Sequence, residues 1–358
     1  MIITYIHSKS PEDALRVQLR CGNFAAAINR SGWHSANLLC LDSFIQNTLT
    51  AQEICEASDL LVVHRYLYGP VLQAVAYWKA RGKKVVVDFD QAINYLPPDI
   101  PSHAFQTHGN LLKAAGCAGR EHERSVESMP LDQFKWGLGL IDAAIVSSMR
   151  LVVDWSPFTN VYEIPDFLNT DQYPAFKRAH EKIWVGLANE ARMSSIRNSG
   201  LLTALESICN MRPEVQLVLG DRDDHAVLDI QPSQLVIRSS CRLDEWAEIL
   251  LKLDIGLAPI YGDYDLRLGR INLLEFMISK TPWIASNQPA FREFSRFGRL
   301  VQNTSTAWES AILEMLDNLD VFQQRATRES FLFALSQDVN ENIDKVLKPL
   351  TYILSQVK

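Results

Sequence analysis

The chain has 358 residues, 47 % hydrophobic and 22 % charged, enough core-forming material for two domains of ordinary size. A formal net charge of −7 excludes a global basic field that would draw in nucleic acid. No apolar run reaches the roughly 18 residues that a membrane-spanning helix needs. The six cysteines (Cys21, Cys40, Cys55, Cys117, Cys209 and Cys241) form no CxxC pair and no His/Cys cluster at zinc spacing. That scatter fits reduced thiols in a cytoplasmic protein. The opening Met1-Ile-Ile-Thr-Tyr-Ile is too short for a signal peptide and reads as a strand.

In chain order, short Val- and Ile-rich runs predict strands at 2–6, 59–63, 84–87, 143–146, 182–185, 215–219, 254–258 and 282–285. Most are uninterrupted rather than alternating, as expected for strands covered on both faces. Between them, periodic segments at 70–81, 199–211, 243–253 and 271–279 predict helices. Strand–helix–strand order of this kind gives parallel sheets, hence an α/β fold. The runs end in small or polar residues: His7-Ser8, His64-Arg65, Asp88-Phe89-Asp90, Ser147-Ser148, Gly186, Gly220-Asp221, Pro259 and Ser286. Ligands of open parallel sheets bind outside the carboxyl ends of the strands, so these residues are the first candidates for a site.

Two similar units follow from the run of strands: an N-terminal domain over 1–166 and a C-terminal domain over 182–335, joined by a polar, non-periodic linker at 167–181. The tail 336–358 reads as one or two helices, with Pro349 breaking or kinking them, packed back on the N-terminal domain. Segment 92–135 is a long excursion, rich in Pro, His and Gly at first and then charged. Its His103, His108 and His122 lack metal-ligand spacing.

The densest chemistry lies in 254–286, DIGLAPIYGDYDLRLGRINLLEFMISKTPWIAS. A strand ends at Pro259, and a loop carries Asp263, Asp265, Arg267 and Arg270. A helix then opens near Ile271 and carries Glu275 in its first turn or so. Two arginines before a helix N-terminus make a ready anion site. On the residues alone, the same set reads equally as solvated arginines and a dipole-stabilising surface acid.

With Arg270, Asn272-Leu273-Leu274-Glu275-Phe276-Met277 and Thr281-Pro282-Trp283-Ile284-Ala285-Ser286, this segment resembles the donor half of retaining GT-B glycosyltransferases of the family 4 kind. The likeness extends through IWVGLANE to VQLVLG (183–220), DLLVVHR to INYLPP (59–98) and AAIVSSMRLVVDW to VYEIPDF (143–167), about 300 residues in all. It implies two Rossmann-like domains facing across a cleft, with the C-terminal helix returning to the first. It implies a nucleotide-sugar donor held by Gly186, Arg192, Gly220, Arg267, Arg270, Asn272, Leu273 and Glu275, with Glu275 on the ribose hydroxyls. His64, Asp88 and Asp90 would orient the acceptor hydroxyl. Arg267 stands where the family has a second glutamate, and it is expected to meet a donor phosphate or a carboxylate on the sugar, with the phosphate favoured, or else to pair with Asp263 or Asp265.

The resulting expectation is a cytoplasmic, metal-independent hexosyltransferase that needs no cofactor, transfers with retention and acts on an unknown acceptor. The alternative is an inactive GT-B-like partner subunit that binds a nucleotide or glycan. Neither reading involves nucleic acid or a membrane span, and both are compatible with a homo-oligomer. Asp88-x-Asp90 resembles a metal-binding DxD only in spelling, because that motif belongs to a different glycosyltransferase fold.

Overall fold

The computed structural model describes residues 1–10, 13–98, 100, 129–173, 181–189, 191–220, 229–238 and 243–356. Most of the excursion at 92–135, including its three histidines, lies outside the described residues. The chain divides into two units: Met1–Phe167 with Arg267–Gly269 and Val339–Lys358, and Leu168–Leu266 with Arg270–Asp338.

The first unit is built on β1 (Ile2–His7), β2 (Ser35–Cys40), β3 (Leu60–His64), β4 (Lys84–Phe89), β5 (Ala143–Val146) and β6 (Val161–Glu163). All pair in parallel, in the order β2-β1-β3-β4-β5-β6. Every residue of β3 is buried, as its uninterrupted LLVVH run requires of a central strand. One core gathers Ile3, Tyr5, Leu60, Val62, Val86 and Ile145 from the sheet with Phe24 and Ile28 from the helix Asn23–Ser31.

The same core takes Val346, Leu347, Leu350 and Ile353 from the C-terminal helix Ile343–Ser355. That helix is continuous with Pro349 inside it, so of the two readings of the tail it is one helix here, unbroken at the proline. Val346, Leu347, Leu350 and Ile353 recur at helical spacing and are buried in the core, so burial of one face outweighs the single backbone donor that proline lacks.

The second unit contains β7 (Ile183–Leu187), β8 (Val215–Gly220), β9 (Leu235–Arg238), β10 (Ile255–Ala258), β11 (Trp283–Ser286) and β12 (Arg299–Val301). These are again all parallel, in the order β12-β11-β10-β7-β8-β9. Val185, Leu217, Ile255, Leu257 and Ile284 pack with Leu201, Leu205 and Ile208 of the helix Leu201–Met211. Trp308, Ile312 and Met315 of the helix Ser305–Asp317 complete that core. Thr304 caps the latter helix by accepting from the Ala307 N–H at 3.3 Å. Among the described residues no helix is long and apolar enough to cross a membrane.

Leu350 is buried in the first unit's core, whereas Lys348 on the same helix is exposed. Leu350→Ala should therefore lower unfolding free energy by about 2–5 kcal/mol, and Lys348→Ala by no more than about 0.5 kcal/mol. Denaturant titration of the two variants measures both. Equal, small losses would show that the C-terminal helix is not part of the core.

Candidate functional site

Each sheet has one place where neighbouring strands send their connections in opposite directions, and there the strand ends open outward. In the first unit it lies between β1 and β3, in the second between β7 and β10. The parallel register His64↔Asp88 puts two of the predicted residues side by side, and Asp90 follows two residues on.

Seven charged side chains close over these ends of the first unit. Arg20, with no exposed surface, donates Nη2 to both oxygens of Asp88 at 2.9 and 3.1 Å and Nε to Oδ1 at 3.1 Å. Its Nη1 donates to the Ile164 carbonyl at 2.6 Å and to Asp166 Oδ1 at 3.3 Å. Arg16 Nη1 lies 3.3 Å from Asp90 Oδ2 and 3.7 Å from Asp166 Oδ2. Arg65 donates Nε to Asp90 Oδ1 at 2.7 Å and Nη1 to Asp13 Oδ1 at 3.1 Å. Arg65 takes a left-handed backbone, φ 64°, and its N–H is held by the Asp88 carbonyl at 2.8 Å. Asp13, Asp88, Asp90 and Asp166 thus face Arg16, Arg20 and Arg65, four negative charges against three positive.

Burial pushes the Asp88 carboxyl up to about 6, against the pull of Arg20, so the pair is still ionised at neutral pH. Burial opposes the Arg20 charge too, but Asp88 and Asp166 outweigh it and hold the guanidinium charged. Burial likewise works against Asp90, yet Arg65 and Arg16 hold its carboxyl well below the usual range. His64 is fully buried beside this network, and neither ring nitrogen has a hydrogen-bond partner among the described residues. Burial, then Arg65, pushes its pKa well below the ordinary histidine value, with Asp90 pulling the other way. The imidazole is therefore neutral at physiological pH. The three residues expected to meet an acceptor hydroxyl lie beneath the surface, because arginines neutralise the two acids and apolar strands surround the histidine.

Residues 267–269 also belong to the first unit. Arg267 Nη2 donates to Asp154 Oδ1 at 3.1 Å, Nε donates to the other oxygen, and the guanidinium lies 3.8 Å from the ring centre of Tyr95. The Ser148 hydroxyl donates to the Arg267 carbonyl at 2.9 Å. Arg267 thus engages a carboxylate, that of Asp154, which the sequence reading did not name. Gly269 lets the chain pass Asp166: a Cβ there would sit 2.1 Å from Asp166 Oδ2.

In the second unit Asp265 organises the turn after β10. Arg192 Nε and Nη2 donate to its Oδ1 at 3.0 and 2.8 Å, and the Tyr261 N–H donates to Oδ2 at 2.9 Å. The Ser195 hydroxyl also donates to Oδ2. This carboxylate ties the segment after β7 to the segment after β10, across the place where the strand connections diverge. Gly186 sits within β7, not after it, and a Cβ there would lie 2.5 Å from Leu253 Cδ2. Close packing against Leu253 is thus a structural demand for glycine at this position. Gly220 is the last residue of β8, paired with Arg238.

The helix Ile271–Ile278 follows, with Arg270 at its N-cap. Leu273 and Leu274 are buried and anchor it. Glu275 falls in the second turn and is only 2 % exposed, so it is not a surface acid suiting the helix dipole. Its Oε1 accepts from the Tyr173 hydroxyl at 3.1 Å and its Oε2 from the Trp246 indole N–H at 2.9 Å. Asn272, one turn earlier, is 5 % exposed, and its Oδ1 has no hydrogen-bond partner among the described residues. The partners Arg20, Asp166, Asp154, Tyr173 and Trp246 escaped the sequence reading. Only Arg20 carried a signal, four residues after Arg16 and so on the same helical face.

Among the described residues no group of three or more His, Cys, Asp or Glu side chains could hold a metal ion. No protein family and no curated protein matches the chain by sequence. Solved structures do match in fold. Sucrose-phosphate synthase from Thermosynechococcus elongatus superposes with TM-score 0.61 at 12 % identity, covering 98 % of each chain. Anabaena HepE in complex with UDP and glucose gives 0.60 at 11 %, covering 98 % of this chain and 99 % of that one. A UDP-N-acetylglucosamine 2-epimerase gives 0.52 at 9 %, covering 100 % and 99 %. The chain has the GT-B fold, two Rossmann-like units of parallel sheet, which glycosyltransferases share with such epimerases. Fold alone does not assign the reaction.

His64 makes stability depend on pH. An unfolded histidine binds a proton below about pH 6.5, while the buried one resists it, so acid favours the unfolded chain. The stability difference between wild type and His64→Gln should fall as pH drops below about 6.5, approaching 1.4 kcal/mol per pH unit. Denaturant titrations at pH 7.5, 6.5 and 5.5 give that difference. A constant value would mean that His64 titrates normally.

Proposed function

We propose that the chain is a glycosyltransferase that moves a hexosyl group from a uridine-diphosphate sugar to an acceptor hydroxyl, with retention and without a metal ion. The observation that carries this reading is the helix Ile271–Ile278. It follows β10, beside the diverging β7 and β10, and bears a buried carboxylate and a buried amide oxygen one turn apart. The match over the whole length of HepE, a structure holding UDP and glucose, supports the choice of nucleotide.

In this reading the diphosphate rests against the amides after β7 and at the N-terminus of that helix, with Arg270 alongside. The helix dipole stabilises the negative charge that grows on the leaving diphosphate as the glycosidic bond breaks. Glu275 takes the ribose. Gly186 and Gly220 keep the ends of β7 and β8 in place, Leu273 seats the helix, and Arg192 shapes the phosphate side through Asp265. Arg267 is left out of the phosphate contacts, because its guanidinium is already bidentate on Asp154. In the first unit Asp88 and Asp90 are positioning residues that fix the ends of β3 and β4. His64, kept neutral, is the group able to exchange a hydrogen bond with an acceptor hydroxyl once the surface above it opens.

Calorimetry with UDP and a panel of UDP-sugars, in buffer containing EDTA, tests the reading. Wild type should bind UDP and release it from at least one UDP-sugar. Glu275→Gln, which preserves volume, should weaken UDP binding by about 1.5–3 kcal/mol. Absence of UDP binding by the folded wild type, or turnover only after added Mn²⁺ or Mg²⁺, would refute it.

A further inference from the structure

Tyr95 is a large aromatic side chain that the fold leaves 40 % exposed and yet holds in one place. It ends the short 3₁₀ turn Ile93–Tyr95, and its neighbours Ala92, Ile93 and Leu96 are buried. The Tyr95 N–H donates to the Ala92 carbonyl at 2.8 Å and closes that turn. The Arg267 guanidinium covers the ring, its carbon 3.8 Å from the centroid. Both oxygens of Asp154 fix that guanidinium in turn. Carboxylate, guanidinium and ring thus form an ordered stack of the kind that planar arginine makes with an aromatic face.

This stack stands where open parallel sheets take their ligands. Tyr95 lies on the connection after β4, and Asp154 lies on the helix Met149–Trp155 after β5. Tyr95, Asp154 and residues 267–269 all belong to the first unit, whereas the proposed nucleotide site lies in the second. A ligand here is therefore the other reactant. A tyrosine held in advance offers its surface at little entropic cost. What fits it is a ring with an apolar face and a polar rim, because the exposed Asn94 adjoins the platform. A pyranose meets both demands, with C–H bonds on its face and hydroxyls around its edge.

We propose that Tyr95 is a stacking platform for a pyranose ring of the acceptor, so that the acceptor is itself a glycan or glycoside. This rests on the glycosyltransferase reading and adds to it the class of the second substrate. The C–H face of the sugar lies on the tyrosine surface that Arg267 leaves open. Arg267 and Asp154 are positioning residues, since they act on the sugar through the ring of Tyr95. The assignment also accounts for arginine at position 267, where the resembled family has a glutamate. The face of an aromatic ring is electron-rich and attracts a guanidinium, whereas it repels a carboxylate.

Saturation-transfer NMR titrations with methyl glucoside, methyl galactoside and methyl mannoside test the proposal, with sorbitol as an open-chain polyol and uridine as a flat ring. Wild type should bind at least one glycoside, with saturation strongest at the ring protons of one face. Tyr95→Phe should keep that affinity within about twofold, and Tyr95→Ala should weaken it at least about tenfold. Arg267→Lys keeps the charge but loses the planar stack, and should weaken binding about threefold. In the Tyr95→Ala background the same change should have no further effect. No glycoside bound by the folded wild type, equal affinity in Tyr95→Ala, or Tyr95-dependent binding of sorbitol or uridine alone would overturn the platform. UDP calorimetry on the same samples reads the nucleotide proposal separately. UDP binding without glycoside binding would end only the platform, and glycoside binding without UDP binding would end its acceptor role.

Discussion

Arg20 is the side chain on which the first unit turns. It is wholly buried, and its five donors are spent on Asp88, Asp166 and the Ile164 carbonyl. It thereby joins the helical segment after β1, the end of β4 and the chain leaving β6. Removing one member of such a buried network leaves the others charged and uncompensated, a loss of about 3–5 kcal/mol in comparable cases. The cost of burying these charges constrains everything nearby. Arg16 and Arg65 must answer Asp90 and Asp13, His64 must remain neutral, and Gly269 must lack a side chain for Asp166 to fit.

That constraint divides the work between the units. The strand ends of the first unit carry many charges, and among the described residues these pair with one another. The second unit arranges its charges differently. Asp265 is fully occupied by Arg192, Ser195 and the Tyr261 N–H, which makes a rigid turn. The adjacent helix Ile271–Ile278 holds the buried Glu275, which accepts from Tyr173 and Trp246, and Asn272, whose Oδ1 has no donor among the described residues. A folded chain tolerates unmatched buried acceptors at few places, and that of Asn272 follows β10, near the site that open parallel sheets favour.

The sequence made the centres of both sheets legible and left their edges obscure. The eight predicted strands are β1, β3, β4, β5, β7, β8, β10 and β11, the inner strands of the two sheets. The four it missed, β2, β6, β9 and β12, are the outer ones. A strand covered on both faces must be apolar throughout, whereas the edge strand Ser35–Cys40 buries only Ala36 and Leu39 and loses that signature. The site was legible as a set of strand ends, but not as a set of partners. Arg267 and Asp154 are 113 residues apart, and Glu275 and Tyr173 are 102 apart. No local pattern encodes such pairs, so the sequence could not show that Arg267 meets Asp154 or that Glu275 meets Tyr173.

In the proposed reading the second unit receives the anionic nucleotide, while the described charges of the first unit stay paired with one another. Hydrogen–deuterium exchange with and without UDP tests it over the whole chain. Exchange should slow in the segments after β7 and β10 and through the first turns of the helix Ile271–Ile278, and should be unchanged around His64 and Asp88–Asp90. Protection around His64 and Asp88–Asp90, with none in the helix Ile271–Ile278, would contradict it.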